Sequence, residues 1–130
     1  MIAIALDDEQ LMLHALVKTI KVSEDIEEVV GFTNSNEALD WIEINVPDVA
    51  FLDINMRGLN GIGVAEKILA IYPDCKIVFC TGYEEYAVAA FKIHTSGYLL
   101  KPISAEDIQK EIDVIKGRKR YPESTMLRSF

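Results

Sequence analysis

An α/β domain built on a doubly wound parallel sheet is the fold this sequence predicts, and two observations predict it. Apolar runs of strand length alternate with segments of helical period from residue 2 to about 116, joined by short connections. Four of those runs lead directly into a polar or charged residue: Ile2–Leu6 into Asp7-Asp8, Val49–Leu52 into Asp53, Ile77–Cys80 into Thr81, and Tyr98–Leu100 into Lys101. Parallel strands need crossover helices, and right-handed crossovers stack those helices on the sheet to make three layers. In open sheets of this kind, sites form at the carboxyl ends of the strands, beside the point where strand order reverses.

The elements follow in order. The first strand spans about Ile2 to Leu6, and a helix runs from about Glu9 to Lys21 with Leu13, Leu16, Val17 and Ile20 at three- and four-residue spacing. Ile26 to Phe32, rich in β-branched residues, reads as the second strand. Asn34 or Ser35 caps the next helix, whose apolar contacts come from Ala38, Leu39, Trp41 and Ile42 and which Pro47 should end. Trp41 is expected to pack rather than bind. Val49 to Leu52 is almost wholly apolar, as a central strand buried on both faces should be. Asn60-Gly61 opens a helix over about Ile62 to Ile71, and Lys76 to Cys80 forms the fourth strand. A weaker helical pattern covers Glu84 to Lys92, a short strand Gly97 to Leu100, and a last helix, capped by Ser104 with Asp107, reaches about Lys116. Residues 118–130 lack helical period, contain Pro122, and read as a linker with the possible start of a further domain.

Composition sets the bounds. A chain of 130 residues, 50% apolar, is enough for one compact domain with a sizeable core. With 21 acidic against 13 basic residues the net charge is −8, which argues against nucleic-acid binding by the body of the domain. The basic segment Lys116–Arg120 is expected to be a solvated helix end or linker. Cys75 and Cys80, in or beside one strand, are expected to stay reduced. No apolar run approaches the ~18 residues of a membrane span, and the start lacks a secretory signal, so the expected compartment is cytoplasmic.

Three carboxylates, a hydroxyl and an ammonium at one sheet edge suit a divalent cation and a phosphoryl group. Asp53 could attack a phosphoryl donor only if nearby charge were neutralised, which Mg²⁺ does with oxygen ligands at ~2.0–2.1 Å. Asp7 and Asp8 could hold the ion directly and through water, Asp53 would give one oxygen, and the backbone carbonyl of Asn55 another. Lys101 supplies a point charge and Thr81 a hydroxyl donor for the phosphoryl oxygens, where catalysis is largely positioning and electrostatics. Gly82 leaves space for the donor, and Lys101-Pro102 is a bond of the kind where a cis peptide occurs. Each piece alone has a plainer explanation: an Asp-Asp pair is commonly a solvated turn, a Lys-Pro step a helix-entry loop. Their joint occurrence after four strands is what points to a site.

Through Asp7-Asp8, the Asp53-Ile54-Asn55-Met56 segment followed by Gly61, Thr81-Gly82 and Lys101-Pro102, the chain resembles the receiver domain of bacterial two-component response regulators over about residues 1–116. The resemblance implies a flavodoxin-like (βα)5 sheet in the order 2-1-3-4-5 and Mg²⁺-dependent phosphorylation of Asp53 by a sensor histidine kinase. It also implies a switch through Thr81 and Tyr98, with homodimerisation on phosphorylation through the Glu84–Lys92 helix, the fifth strand and the last helix. Arg57 departs from the family pattern, which commonly has proline there, and brings a positive charge to the acidic mouth. Tyr83–Phe91 followed by Gly97–Pro102 resembles receivers joined to LytTR-type DNA-binding domains, whereas Met126–Phe130 resembles the opening strand of a winged-helix output domain of the SARP type. DNA would then be reached only through such an output domain.

Three other readings compete. A Mg²⁺-dependent phosphohydrolase of the haloacid dehalogenase kind would share the aspartyl-phosphate chemistry, but it needs a second Asp two residues after the nucleophile, where this chain has Asn55. A flavodoxin-like binding module needs a phosphate loop after the first strand, and Asp7-Asp8-Glu9 would repel the phosphate. A receiver-like domain that is never phosphorylated would not need the full set of acidic pair, Asp53, Thr81 and Lys101. His14 and His94 are given no role, since the donor histidine belongs to the partner.

Overall fold

The computed structural model describes residues 1–82 and 97–119. The helix expected at Glu84–Lys92, His94 and the tail after Lys119 lie outside the described residues. Within them the chain runs β1 (Ile2–Leu6), α1 (Gln10–Ile20), β2 (Glu28–Phe32), α2 (Ser35–Ile42), β3 (Val49–Leu52), α3 (Gly61–Ile71), β4 (Lys76–Thr81), β5 (Gly97–Leu100) and α4 (Ala105–Ile115). The strands form one sheet in the order β2-β1-β3-β4-β5, every pair parallel.

Side-chain alternation explains why the central strands read as unbroken apolar runs. Successive residues of a strand point to opposite faces, and here both faces are covered. Ile4, Leu6, Ala50, Leu52, Ile77 and Phe79 pack on Ala38 and Ile42 of α2 and on Val64, Ala65 and Ile68 of α3. Ala3, Ala5, Val49, Phe51, Val78 and Cys80 meet Leu16 and Ile20 of α1 and Ile108 and Ile112 of α4 on the other side. The chain moves from β1 outward to β2, then returns across β1 to β3, so the strand order reverses between β1 and β3.

The ends of the elements differ from expectation in three places. β2 begins at Glu28, not Ile26, because Ile26 is held in a turn by its N–H bond to the Ser23 carbonyl at 3.3 Å. α2 stops at Ile42, well before Pro47. Asn45 ends it, its Nδ2 donating to the Trp41 carbonyl at 3.0 Å. β4 continues through Thr81, which pairs with Leu100. The caps follow sequence logic: Asn34 Oδ1 accepts from the N–H groups of Asn36 and Glu37 at 2.8 and 3.2 Å, and Ser104 and Asp107 form a reciprocal capping box.

Trp41 packs against the core with its ring 6.2 Å from that of Phe32, and His14 is exposed on α1. Cys75 and Cys80 are free, buried thiols; burial pushes Cys75 up to about 12 and Cys80 higher, so both are un-ionised near neutrality. The basic segment after α4 is not simply solvated. Arg118 donates from both terminal nitrogens to Asp25 at 2.8 and 2.9 Å and also reaches Asp113 at 3.2 Å. That guanidinium and the Gln109 amide hold the Asp25 carboxyl well below the usual range. No helix among the described residues is long and apolar enough to cross a membrane.

Candidate functional site

Three site residues are fixed by one backbone device. Asp7, Asp53 and Lys101 each lie one residue beyond a strand, and each N–H donates to the last carbonyl of a neighbouring strand. Asp7 donates to Phe32 at 3.2 Å, Asp53 to Leu6 at 2.9 Å and Lys101 to Thr81 at 2.8 Å. The sheet ladder is thus extended by one rung, and side chains leaving that rung converge at the carboxyl edge, where strand order reverses between β1 and β3.

Asp7, Asp8 and Asp53 each place a carboxylate oxygen within 4.8 Å of the others. Lys101 lies among them, its Nζ 2.8 Å from Asp7 Oδ2 and 3.6 Å from Asp53 Oδ1. Asp7 also accepts the Glu9 N–H at 3.0 Å, which fixes its carboxylate and satisfies a donor at the start of α1. Asp8 Oδ2 accepts the Arg57 N–H at 3.0 Å. Thr81 is fully buried at the end of β4, adjacent to the strand that carries Asp53. Tyr98 is half-buried on β5 with its ring 6.4 Å from Phe79. Asn55 is exposed on the loop after Asp53, and Gly82 is exposed with open space around its Cα. The Lys101-Pro102 peptide is cis.

Electrostatics follow from this crowding. Burial pushes the Asp53 carboxyl up to about 6; Lys101 opposes the rise, while the charges of Asp7 and Asp8 add to it. For Lys101, burial works to lower the pKa, but the hydrogen bond to Asp7 and the charges of Asp53 and Asp7 outweigh it, so the net direction is upward. The ammonium is therefore permanently charged beside a carboxylate that is unusually basic. A fixed cation beside a carboxylate suits an incoming anion.

The donor set fits a hard divalent cation. All three ligand groups are carboxylates, the hard oxygen donors that Mg²⁺ takes, and their oxygens lie within 4.8 Å of one another.

Two contacts around the site go beyond the sequence reading, which placed the Arg57 charge near the acidic mouth but named no partner for it. Gly61, at the start of α3, abuts the Asp53 backbone: a Cβ there would overlap the Asp53 carbonyl oxygen and sit 2.8 Å from the carbonyl carbon. Gly58, in the same loop, has φ +76, which favours glycine. The second is the double contact of Arg57 with Asp8, through its N–H and through Nε at 3.6 Å. The available signal for both was position: glycine and arginine in the loop that follows Asp53.

Comparison with known proteins agrees with this picture. The model for the response regulator receiver domain matches residues 3–113. An uncharacterized response regulatory protein of Vibrio cholerae serotype O1 is 43% identical over 79% of this chain and 40% of its own length. The sensory transduction protein LytR of Staphylococcus epidermidis is 32% identical over 95% of the chain and 50% of its own length. Among solved structures, the response regulatory domain of protein mrkE from Klebsiella pneumoniae superposes with a TM-score of 0.79 at 30% identity, covering 90% of this chain and 99% of that one. The chain spans about half or less of the length of these curated relatives.

Proposed function

Because this chain belongs to the response regulator receiver family, we propose that it is a phosphorylation-activated signalling switch that accepts a phosphoryl group on Asp53 from a sensor histidine kinase. The observation that carries this reading is the cluster itself: carboxylate oxygens of Asp7, Asp8 and Asp53 within 4.8 Å of one another, and the Lys101 ammonium 2.8 Å from Asp7 and 3.6 Å from Asp53.

In this account an Asp53 carboxylate oxygen attacks the phosphorus, forming the O–P bond as the bond to the donor histidine breaks and its electron pair returns to the imidazole. Lys101 and the Thr81 hydroxyl take the phosphoryl oxygens. Asp7 and Asp8 would hold a Mg²⁺ ion, with Asp53 and the Asn55 backbone carbonyl as its further protein ligands. Bound Mg²⁺ supplies the charge that offsets repulsion between the carboxylate and the incoming phosphate. The domain acts on no other substrate; it assists only its own phosphorylation and dephosphorylation.

The added group carries about −1.5 to −2 charges. Thr81 moves toward it, Tyr98 turns inward, and a pre-existing two-state equilibrium shifts. Homodimerisation through the segment Glu84–Lys92, β5 and α4 then brings two output domains together on DNA. Relatives named LytR support an output of the LytTR type over the SARP type, and a regulator of this kind works in the cytoplasm.

The test is labelling by acetyl phosphate, read by intact-protein mass spectrometry. Wild type should gain one phosphoryl group only with Mg²⁺ present, and Asp53→Asn none. Equal labelling of the two proteins would overturn the assignment.

A further inference from the structure

Arg57, in the loop that follows Asp53, makes two contacts with Asp8 that a proline there could not. Its N–H donates to Asp8 Oδ2 at 3.0 Å, and its Nε lies 3.6 Å from the same oxygen. Proline has neither an N–H nor a charge. Asp8 is also the most accessible of the three clustered carboxylates, with its side chain 18% exposed against 2% for Asp7 and 9% for Asp53. An ion entering from solvent meets Asp8 first.

Two cations thus pair with the cluster. Lys101 pairs with the inner carboxylates Asp7 and Asp53, and Arg57 pairs with the outer one. Lys101 sits deep in the site, with its side chain 22% exposed, whereas the Arg57 side chain is 92% exposed. The guanidinium lies in solvent beside a groove of about 430 Å³ lined in part by Asp8, Asn34, Met56 and Arg57, so nothing packed against it holds it on Asp8.

We propose that Arg57 sets the affinity of the acidic cluster for a divalent cation: it holds the Asp8 oxygen that the cation would take, and binding requires that oxygen to be surrendered. This rests on the reading of Asp7, Asp8 and Asp53 as an ion site. Two effects act in the same direction. The ion must break an existing pair, and a dication must approach a fixed positive charge. Exposed pairs of this kind shift equilibria by about 1.5- to 5-fold, and their effect is screened by salt because the charge lies in water. The backbone contact belongs to the loop and survives any substitution except proline.

Calorimetric Mg²⁺ titration of the whole chain at low and high salt tests the proposal, using wild type, Arg57→Ala, Arg57→Lys, Arg57→Pro and Asp8→Asn. At low salt Arg57→Ala should bind about two- to fivefold more tightly than wild type, and the gain should shrink at high salt. Arg57→Lys should stay near wild type, because the charge is retained. Arg57→Pro, which also loses the N–H donor, should bind at least as tightly as Arg57→Ala. Equal or weaker binding by Arg57→Ala, or a gain that salt does not change, would overturn the role of Arg57. If wild type fails to bind Mg²⁺, or Asp8→Asn binds as tightly as wild type, the ion-site reading itself falls. Arg57→Ala and Arg57→Lys decide the matter even if the proline variant does not fold, since thermal unfolding in chelator identifies such a variant.

Discussion

Replacing Asp53 by asparagine should stabilise the metal-free domain, and the gain should depend on pH in a defined way. Asp53 is only 6% exposed, and burial raises its carboxyl from an ordinary 3.8 to about 6. A raised carboxyl pKa means that the folded state binds the proton more tightly than the unfolded chain does. The stability it contributes is fully present below 3.8 and is lost as pH rises through about 6. The full difference corresponds to about 3 kcal/mol. Water at the mouth of the cluster reduces this, so the expected gain for Asp53→Asn near neutrality is about 1–3 kcal/mol. Asparagine keeps the shape and removes the charge, and Lys101 keeps its 2.8 Å partner Asp7. Urea unfolding of both proteins in chelator, at intervals from pH 4 to 8, reads the difference, because titrating groups that do not couple to position 53 cancel between them. The two should be nearly equal at pH 4 and diverge up to about pH 7, with the mutant more stable. A mutant that is less stable at pH 7.5, or a difference that stays flat with pH, would refute the claim that Asp53 ionises at a cost to folding.

Three further outcomes follow from the same geometry. Asp8→Asn removes one of three mutually repelling carboxylates at an accessible position, so thermal stability should be unchanged or raised while Mg²⁺ binding weakens clearly; a tight titration in that variant would count against the role. Gly61→Ala forces a Cβ into the Asp53 carbonyl and should cost on the order of 1–3 kcal/mol, with a fall in the rate of Asp53 labelling; wild-type stability and rate would show that the backbone there yields freely. Beryllofluoride with Mg²⁺, a phosphoryl mimic, should raise the mass seen by size-exclusion chromatography and alter hydrogen exchange in residues 81–105. If neither changes, the switch does not run through Thr81 and Tyr98.

How much was legible depended on where a residue's partners lie. β1, β3 and β5 have the bounds their apolar runs suggest. The first two are buried almost throughout, and burial on both faces writes itself as a continuous run. β2 is an edge strand with Glu28 and Gly31 exposed, so its start carries no such mark. Asp7, Asp53 and Lys101 were readable because each stands one residue past an apolar run, and the ladder continues by one bond at each. The Arg57 charge near the acidic mouth was readable from its place after Asp53, but the particular contacts that depend on how that loop folds were not. Arg57 meets Asp8, and Gly61 meets the Asp53 backbone, only because residues 54–60 turn back over the site. The Arg118 clamp on Asp25 spans 93 positions and joins the end of α4 to the loop after α1. Its acidic partners look like ordinary surface charge in the sequence; only the packing of α4 beside α1 brings them together.

The central claim, that Asp53 is the residue phosphorylated, is tested most directly by trapping the product. Acyl phosphates are reduced by borohydride, which converts the modified aspartate to homoserine and leaves free carboxylates untouched. After labelling with acetyl phosphate and Mg²⁺, reduction and peptide mass mapping should place homoserine at position 53 and nowhere else. Homoserine at position 7 or 8, or none at all in a protein that has gained a phosphoryl group, would contradict the account.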